Sequence, residues 1–186
     1  MLGFYGIHIV GEIEEMYSPT NGSISGTGGL SFGFNVKHYF SKNFYGAFEL
    51  RYTRKGSIYS FTSSYGSKAF ESIQLNYIEI PFLAGFKINL KKKYLLTETG
   101  FAYARMFSSS MSVSDLNKWD YSEKLDNFKQ DEISWVGNVK YPIIKNEKLL
   151  AGFRFSITLN SVHSYYKLRN MVYGVELYYL FNRKIK

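Results

Sequence analysis

The chain has 186 residues, of which 19% are aromatic and none is cysteine, and it carries a formal net charge of +8 at pH 7. This length fits one domain, so we expect a single domain over residues 1–186. The lack of cysteine excludes disulfides, thiolate metal sites and a cysteine nucleophile, while the many Tyr and Phe residues and the three prolines favour ordered strands over disorder.

Apolar and polar residues alternate along the chain with a period of two, and no apolar stripe with helical spacing persists. This pattern predicts eight strands, which in chain order span residues 3–11, 28–40, 44–55, 75–88, 94–107, 132–143, 148–159 and 170–181. The connections between them alternate long and short, and the longest covers residues 108–130. Such a pattern is typical of an antiparallel up-and-down barrel whose loops lengthen on one side only.

The two faces of the predicted strands have opposite character. One face is apolar, for example at Phe32, Phe48 and Phe82, whereas the other mixes glycines with charges. Because a narrow barrel interior needs both room for long side chains and a partner for every buried ion, we expect the charged face to lie inside and the apolar face to contact lipid. The predicted interior charge network contains Glu49, Arg51, Glu79, Glu98, Arg154 and Glu176.

The stretch "LNYIEIPFLAGFKI", residues 75–88, is apolar but holds Glu79 and Pro81 near its middle. We expect Glu79 to pair inside the barrel with an arginine such as Arg51 or Arg154. Since Pro81 has no backbone N–H to donate, it predicts a bulge or locally broken strand pairing. A packed ionic plug is favoured over a proton relay or a substrate site, since buried charges in small barrels usually pack against one another.

The positive charge does not form a stripe. Lys91, Lys92 and Lys93 lie together in one short connection, which we expect to be a periplasmic basic turn that contacts anionic head groups or an acidic partner. The acidic residues gather in the long connections, for example at Asp115 and Asp126. We therefore expect no nucleic-acid partner, because the aromatic residues follow a continuous apolar band with the lysines at its edge.

Several segments resemble one known family. "LNYIEIPFLAGFKI" is similar to the hallmark strand of the PorT-like outer-membrane β-barrel proteins of Bacteroidota, "RYTRKGS" at residues 51–57 resembles the strand before it, and "TETGFAYA" and "YGVELYYLF" also fit. The resemblance implies an all-β, eight-stranded antiparallel up-and-down transmembrane β-barrel in the outer membrane of a Gram-negative bacterium. It implies outer-membrane lipid as a partner, and as further partners the outer-membrane or periplasmic proteins of a larger complex. Some family members are implicated in gliding and protein secretion.

The chemical motifs in the sequence are sparse. No metal-binding or phosphate-binding motif is present, so we expect no cofactor and no metal. Of the three histidines, we expect His8 to face the interior and His38 to face outward near a turn, and His163 stands in a loop between serines with no carboxylate placed to assist it. Because side chains fill an interior of eight strands, we expect no open pore.

The leading hypothesis is therefore a non-enzymatic structural or accessory subunit of a cell-surface or secretion assembly. The alternatives are a lipid-modifying barrel enzyme that uses His163 or Glu79, and a soluble lipocalin-like ligand-binding barrel. Residues 1–13 lack the basic region and cleavage site of a secretory signal. Either Met1 begins a processed or engineered chain, or the protein is not exported.

Overall fold

The computed structural model describes residues 2–11, 23–62, 68–115, 120–123, 128–144, 148–162, 164 and 168–180. Within these ranges only the backbone is described for residues 2–11, 23–27, 61–62, 68–69, 114–115, 120–123 and 168. No helix in this part of the chain is long and apolar enough to span a membrane.

The described residues form an all-β, antiparallel, up-and-down sheet, which confirms this part of the prediction. The strands are β1 (Leu2–Gly11), β2 (Ser23–Tyr39), β3 (Phe44–Thr62), β4 (Lys68–Asn89), β5 (Tyr94–Asp115), β6 (Asp120–Glu123), β7 (Asp131–Pro142), β8 (Leu149–Thr158) and β9 (Leu168–Tyr179).

Neighbours in the chain are neighbours in the sheet. Strands β1 to β5 pair in sequence, β5 then pairs with β7, and β7, β8 and β9 continue the series. Strand β1 pairs with both β2 and β9, so the sheet closes on itself. Strand β6 pairs with the last residues of β5. We call the end of the sheet that holds the connections at residues 40–43, 90–93 and 143–148 the short-turn end, and the opposite end the long-strand end.

Four strands are longer than predicted. Strands β2 and β3 have 17 and 19 residues, and β4 and β5 have 22 each. The prediction that residues 108–130 form a loop is wrong for residues 108–115, which continue β5, and for residues 120–123, which form β6. Serines fill most outward and inward positions of "SSSMSVS", so hydrophobic alternation is weak there although the backbone continues the ladder.

The distribution of exposed and buried side chains agrees with the predicted faces. Outward side chains are large, apolar and exposed, with Phe34 at 75%, Phe82 at 60% and Val175 at 60%. The inward face holds charged residues that are almost fully buried, such as Glu49 and Arg51. Phe181, predicted for the outward face, lies outside the described residues.

Two apolar clusters occupy the interior, one towards each end. The cluster towards the short-turn end contains Tyr45, Ala47, Leu83, Tyr94, Leu96, Ala102, Val136, Leu150 and Tyr178. The cluster towards the long-strand end contains Ile73, Leu75, Tyr77, Ala104, Met106 and Phe128. On β4 the inward residue Glu79 lies between Tyr77 of one cluster and Leu83 of the other, so charged residues occupy the middle of the interior.

Pro81 interrupts the pairing of β3 with β4, as predicted. The paired residues run to Phe48 and Phe82 and resume at Arg51 and Glu79 in the same register, while Pro81 remains opposite Ala102 of β5. A missing N–H therefore breaks the ladder locally without a bulge. The register shift of β4 lies elsewhere, at Asn76 and Tyr77 on the side facing β5.

Glycines allow close approaches across the sheet. The ring of Tyr45 covers Gly85, where an added Cβ would lie 2.3 Å from ring carbon atoms of the tyrosine. At Gly100 an added Cβ would lie 2.0 Å from the carbonyl oxygen of Phe82 on the neighbouring strand. The backbones of β4 and β5 therefore leave no space for a side chain at residue 100.

We expect Gly100→Ala to lower the free energy of unfolding by about 1–3 kcal/mol, because the methyl group must push β4 and β5 apart. Denaturant titration in detergent micelles, followed by tryptophan fluorescence, measures this change. Gly28→Ala is the matched control, since an added Cβ there meets nothing within 4 Å. Equal stability of the two variants would contradict the close packing at Gly100.

Candidate functional site

The candidate site is the charged layer inside the sheet. Because successive side chains of a strand point to opposite faces, residues two apart share the interior. Glu49, Arg51 and Lys55 thus project inward from β3, Glu79 from β4 and Glu98 from β5. Strands β7, β8 and β9 contribute the remaining members, which are Glu132, Lys140, Arg154 and Glu176.

Glu49 is the centre of the network and is fully buried. Its Oε2 accepts a hydrogen bond from Arg154 Nη1 at 3.0 Å and lies 3.4 Å from Arg51 Nη1. Its Oε1 lies 3.5 Å from Lys140 Nζ and accepts a hydrogen bond from the Asn35 amide at 2.9 Å. Three cations therefore surround one carboxylate, so its negative charge is well compensated.

Arg51 links this centre to two further carboxylates. Its Nη2 donates to Glu176 Oε1 at 2.8 Å, and its Nε lies 3.5 Å from Glu79 Oε2. The closest cation to Glu79 is Lys55, whose Nζ lies 2.8 Å from Oε1. Of the two arginines suggested as partners of Glu79, the structure places Arg51 against it, whereas Arg154 pairs with Glu49.

A second branch extends towards the short-turn end. Glu98 Oε2 lies 2.5 Å from Lys140 Nζ, and Oε1 lies 2.8 Å from Lys37 Nζ. Tyr45 donates its hydroxyl to the same carboxylate at 2.9 Å. The ammonium groups of Lys37 and Lys140 also lie over the rings of Tyr45 and Tyr178. Tyrosines thus form the boundary between the charged layer and the apolar cluster at this end.

A third branch extends towards the long-strand end. Lys55 Nζ lies 2.5 Å from Glu132 Oε1, and the same carboxylate accepts hydrogen bonds from Ser134, Thr158 and Asn170. Lys55 also lies over the ring of Tyr77, which belongs to the apolar cluster at this end. The arrangement mirrors the one at the short-turn end.

The structure brings all six predicted network residues together, because each is joined to the others through shared cations. The predicted network did not include Lys37, Lys55, Glu132 and Lys140, which the structure adds. A parity signal was available for the last two, since Glu132, Ser134, Asn138 and Lys140 alternate with the outward residues Ile133, Trp135 and Val139 along β7.

The network is suited to structural compensation of charge. Its five carboxylates, Glu49, Glu79, Glu98, Glu132 and Glu176, are matched by five cations, Lys37, Arg51, Lys55, Lys140 and Arg154. Among the described residues, no group of three or more His, Asp or Glu side chains could hold a metal ion. Every carboxylate here already has a cation against it, which is the condition for burying such charge.

The remaining predicted residues lie at the periphery or outside the described part. Lys91 and Lys92 are exposed in the turn between β4 and β5, whereas Lys93 donates to the Pro142 carbonyl at 2.9 Å. His38 is exposed near the end of β2, as predicted. His163 and the side chain of His8 lie outside the described residues.

Comparison with known proteins identifies a family and similar solved structures. The family model described as "Outer membrane protein beta-barrel domain" matches residues 3–164. The chain is similar to the structure of Ail, the attachment invasion locus protein of Yersinia pestis, which was solved in complex with the heparin analogue sucrose octasulfate. The two sequences are 11% identical, the match covers 96% of this chain and 94% of that chain, and the TM-score is 0.49. It is also similar to the NanC porin structure, with 9% sequence identity and a TM-score of 0.27; the match covers 96% of this chain and 99% of that chain. No curated protein matches the sequence.

We expect Glu49→Gln to destabilise the protein by about 3–5 kcal/mol, because Arg154 loses the carboxylate that compensates its buried charge and Arg51 and Lys140 each lose one of their partners. Denaturant unfolding in detergent micelles measures the change. Asp131→Asn is the control, since its ion pair with Arg105 is exposed and we expect a loss below about 1 kcal/mol. If both variants were equally stable, the network would not hold the interior together.

Proposed function

The chain belongs to the outer membrane protein β-barrel family, and on this premise we propose that it is a non-enzymatic barrel without an open pore. In this proposal it acts as a structural or accessory subunit of a cell-surface or secretion assembly. The protein is located in the outer membrane. We also propose that the protein is one of the PorT-like proteins of Bacteroidota, because its segments at residues 51–57 and 75–88 resemble strands of that family.

The pairing register supports eight strands in the barrel wall. A row of paired residues that starts at Gly29 of β2 passes through Tyr5, Gly174, Arg154, Asn138, Glu98, Gly85 and Tyr45 and returns to β2 at Tyr39. The row crosses eight strands and returns ten residues further along. For eight strands this stagger corresponds to a strand tilt of about 40°, which is usual for closed barrels. Strand β6 pairs with β5 outside this ring.

The filled interior is the single observation that carries the functional proposal. Ten mutually paired charged residues occupy the middle, and an apolar cluster lies towards each end. A solute passing through would have to displace both clusters and break buried ion pairs. Because the described residues fill the middle of the interior and part of each end, the proposal assigns the activity to the two ends of the barrel and to its outer wall.

The two ends offer different surfaces to partners. By the general rule that outer-membrane barrels have short periplasmic turns and long extracellular loops, the short-turn end faces the periplasm. There, the exposed Lys91 and Lys92 favour anionic head groups or an acidic protein as the contact. Strands β3, β4 and β5 extend towards the outside and supply a surface for further subunits.

A tagged copy, extracted gently from native outer membranes, tests the proposal. We expect at least one outer-membrane or periplasmic protein to co-purify in stoichiometric amount. Recovery of the barrel alone, with a change in lipid composition on its deletion, would favour the lipid-modifying enzyme instead. Recovery in the soluble fraction would favour the lipocalin-like alternative.

The role of the basic turn is tested by the double variant Lys91→Gln, Lys92→Gln. We expect the variant to insert normally but to lose a large part of the co-purified partner, because about 1 kcal/mol of attraction per cation is removed at an anionic surface. Quantitative mass spectrometry of the purified complex measures the loss. The control variant, Lys129→Gln with Arg169→Gln, removes two exposed cations towards the long-strand end and should retain the partner. Equal retention by both variants would contradict this role.

A further inference from the structure

The outward face of the barrel changes character sharply at one level. On β3 the outward series Phe48, Leu50 and Tyr52 ends at Arg54, and on β5 the series Phe101 and Tyr103 ends at Arg105. On β4, which lies between them, the apolar series ends at Asn76. Apart from Phe107, the next outward residue of β5, these residues mark the upper limit of the apolar band, at the level where lipid head groups begin.

Arg54 and Arg105 flank β4 closely enough to reach one head group. Arg54 is paired with Asn76, and Arg105 with Ile78, two residues along the same strand. Two strand spacings and two residues of offset separate their Cα atoms by about 12 Å. Two arginine side chains extending towards each other easily span this distance.

The positive charge of this pair is only partly compensated. Arg54 donates to the neutral amide of Gln74, and no carboxylate among the described residues forms an ion pair with it. Arg105 donates to the Gln130 amide at 3.2 Å and lies 3.6 Å from Asp131, with both of these charged side chains more than half exposed. Lys129, which precedes Gln130 in the chain, is also exposed. The level thus retains a net positive charge.

An exposed aromatic side chain lies next to the arginines, at a β-bulge. Tyr77 pairs with Met106 and Asn76 with Ser108, so β5 has one extra residue at Phe107. Phe107 follows the inward Met106 and points outward, as the alternation along β5 requires. Its ring is 61% exposed and lies 6.1 Å from the ring of Tyr52. The Tyr52 hydroxyl donates to Asn76 and so fixes the ring beside Arg54.

We propose that Arg54 and Arg105, with Asn76, Tyr52 and Phe107, bind the phosphorylated sugar head group of a glycolipid in the outer leaflet. A guanidinium binds phosphate oxygens in a bidentate manner, which suits the two arginines at the head-group level. The amides of Gln74 and Asn76 match sugar hydroxyls, and the aromatic pair covers the junction between sugar and acyl chains. The site rests on the proposed orientation, in which the long-strand end faces outward.

Native mass spectrometry of the detergent-purified protein tests the proposal, with a bis-phosphorylated diglucosamine glycolipid as the probe. We expect Arg54→Gln with Arg105→Gln to bind this probe at least ten-fold more weakly than the unchanged protein. Arg169→Gln with Lys42→Gln removes two exposed cations elsewhere and should bind as the unchanged protein does. Unchanged unfolding curves for both variants establish that the barrel is intact.

Three comparisons separate the possible outcomes. The dephosphorylated glycolipid should bind the unchanged protein as weakly as the phosphorylated one binds the arginine variant. Equal binding of phosphatidylglycerol and the glycolipid would overturn the proposal, because it would show attraction to any anionic lipid. Equal loss in the control variant would overturn it as well, because net charge and not the Arg54 and Arg105 site would then govern binding.

Discussion

The burial of charge inside a closed sheet is the constraint on which the rest of the structure depends. Lipid surrounds the wall, so a strand that alternates between two faces must place its charged residues inside. Once inside, a carboxylate such as Glu49 requires cations within a few ångströms, because an unpaired ion in this environment costs several kcal/mol. Arg154 and Lys140 supply them from strands that lie far along the chain. These ion pairs form only when the strands are paired in the register that gives the barrel its stagger.

This constraint explains where glycines and tyrosines occur. Long side chains such as Arg51 and Lys55 need free volume in the interior, and inward glycines at other positions of the wall provide it. Tyr45 fills the space above Gly85 and also donates its hydroxyl to Glu98. It therefore satisfies a buried carboxylate with one end and packs into an apolar cluster with the other. The two apolar clusters limit the access of water to the ion pairs, which strengthens each pair and raises the cost of breaking it.

Sequence patterns predicted the local features of this architecture and missed those that depend on closure. The alternation of Phe48 and Glu49 assigns each residue to a face, and the missing N–H of Pro81 predicts the break in pairing. The contact between Arg154 and Glu49 joins strands on opposite sides of the ring, so it depends on the tilt of all the strands together. Lys55 shares the inward parity of Glu49 and Arg51 on β3, but this parity does not show that its partner is Glu132 of β7. Local periodicity carries no information about such cross-barrel partners.

The interior and the outer surface therefore have separate roles. Every carboxylate of the network already has a cation against it, so the charged layer offers no unpaired charge to a ligand and serves to hold the wall together. In contrast, Arg54 and Lys92 project from the wall and from a turn without a carboxylate partner among the described residues. Since side-chain entropy and solvation oppose ordering such residues alone, their charge is available to a bound head group or protein. The two binding surfaces that we propose therefore rely on cations at the edges of the barrel, which the internal pairing does not use.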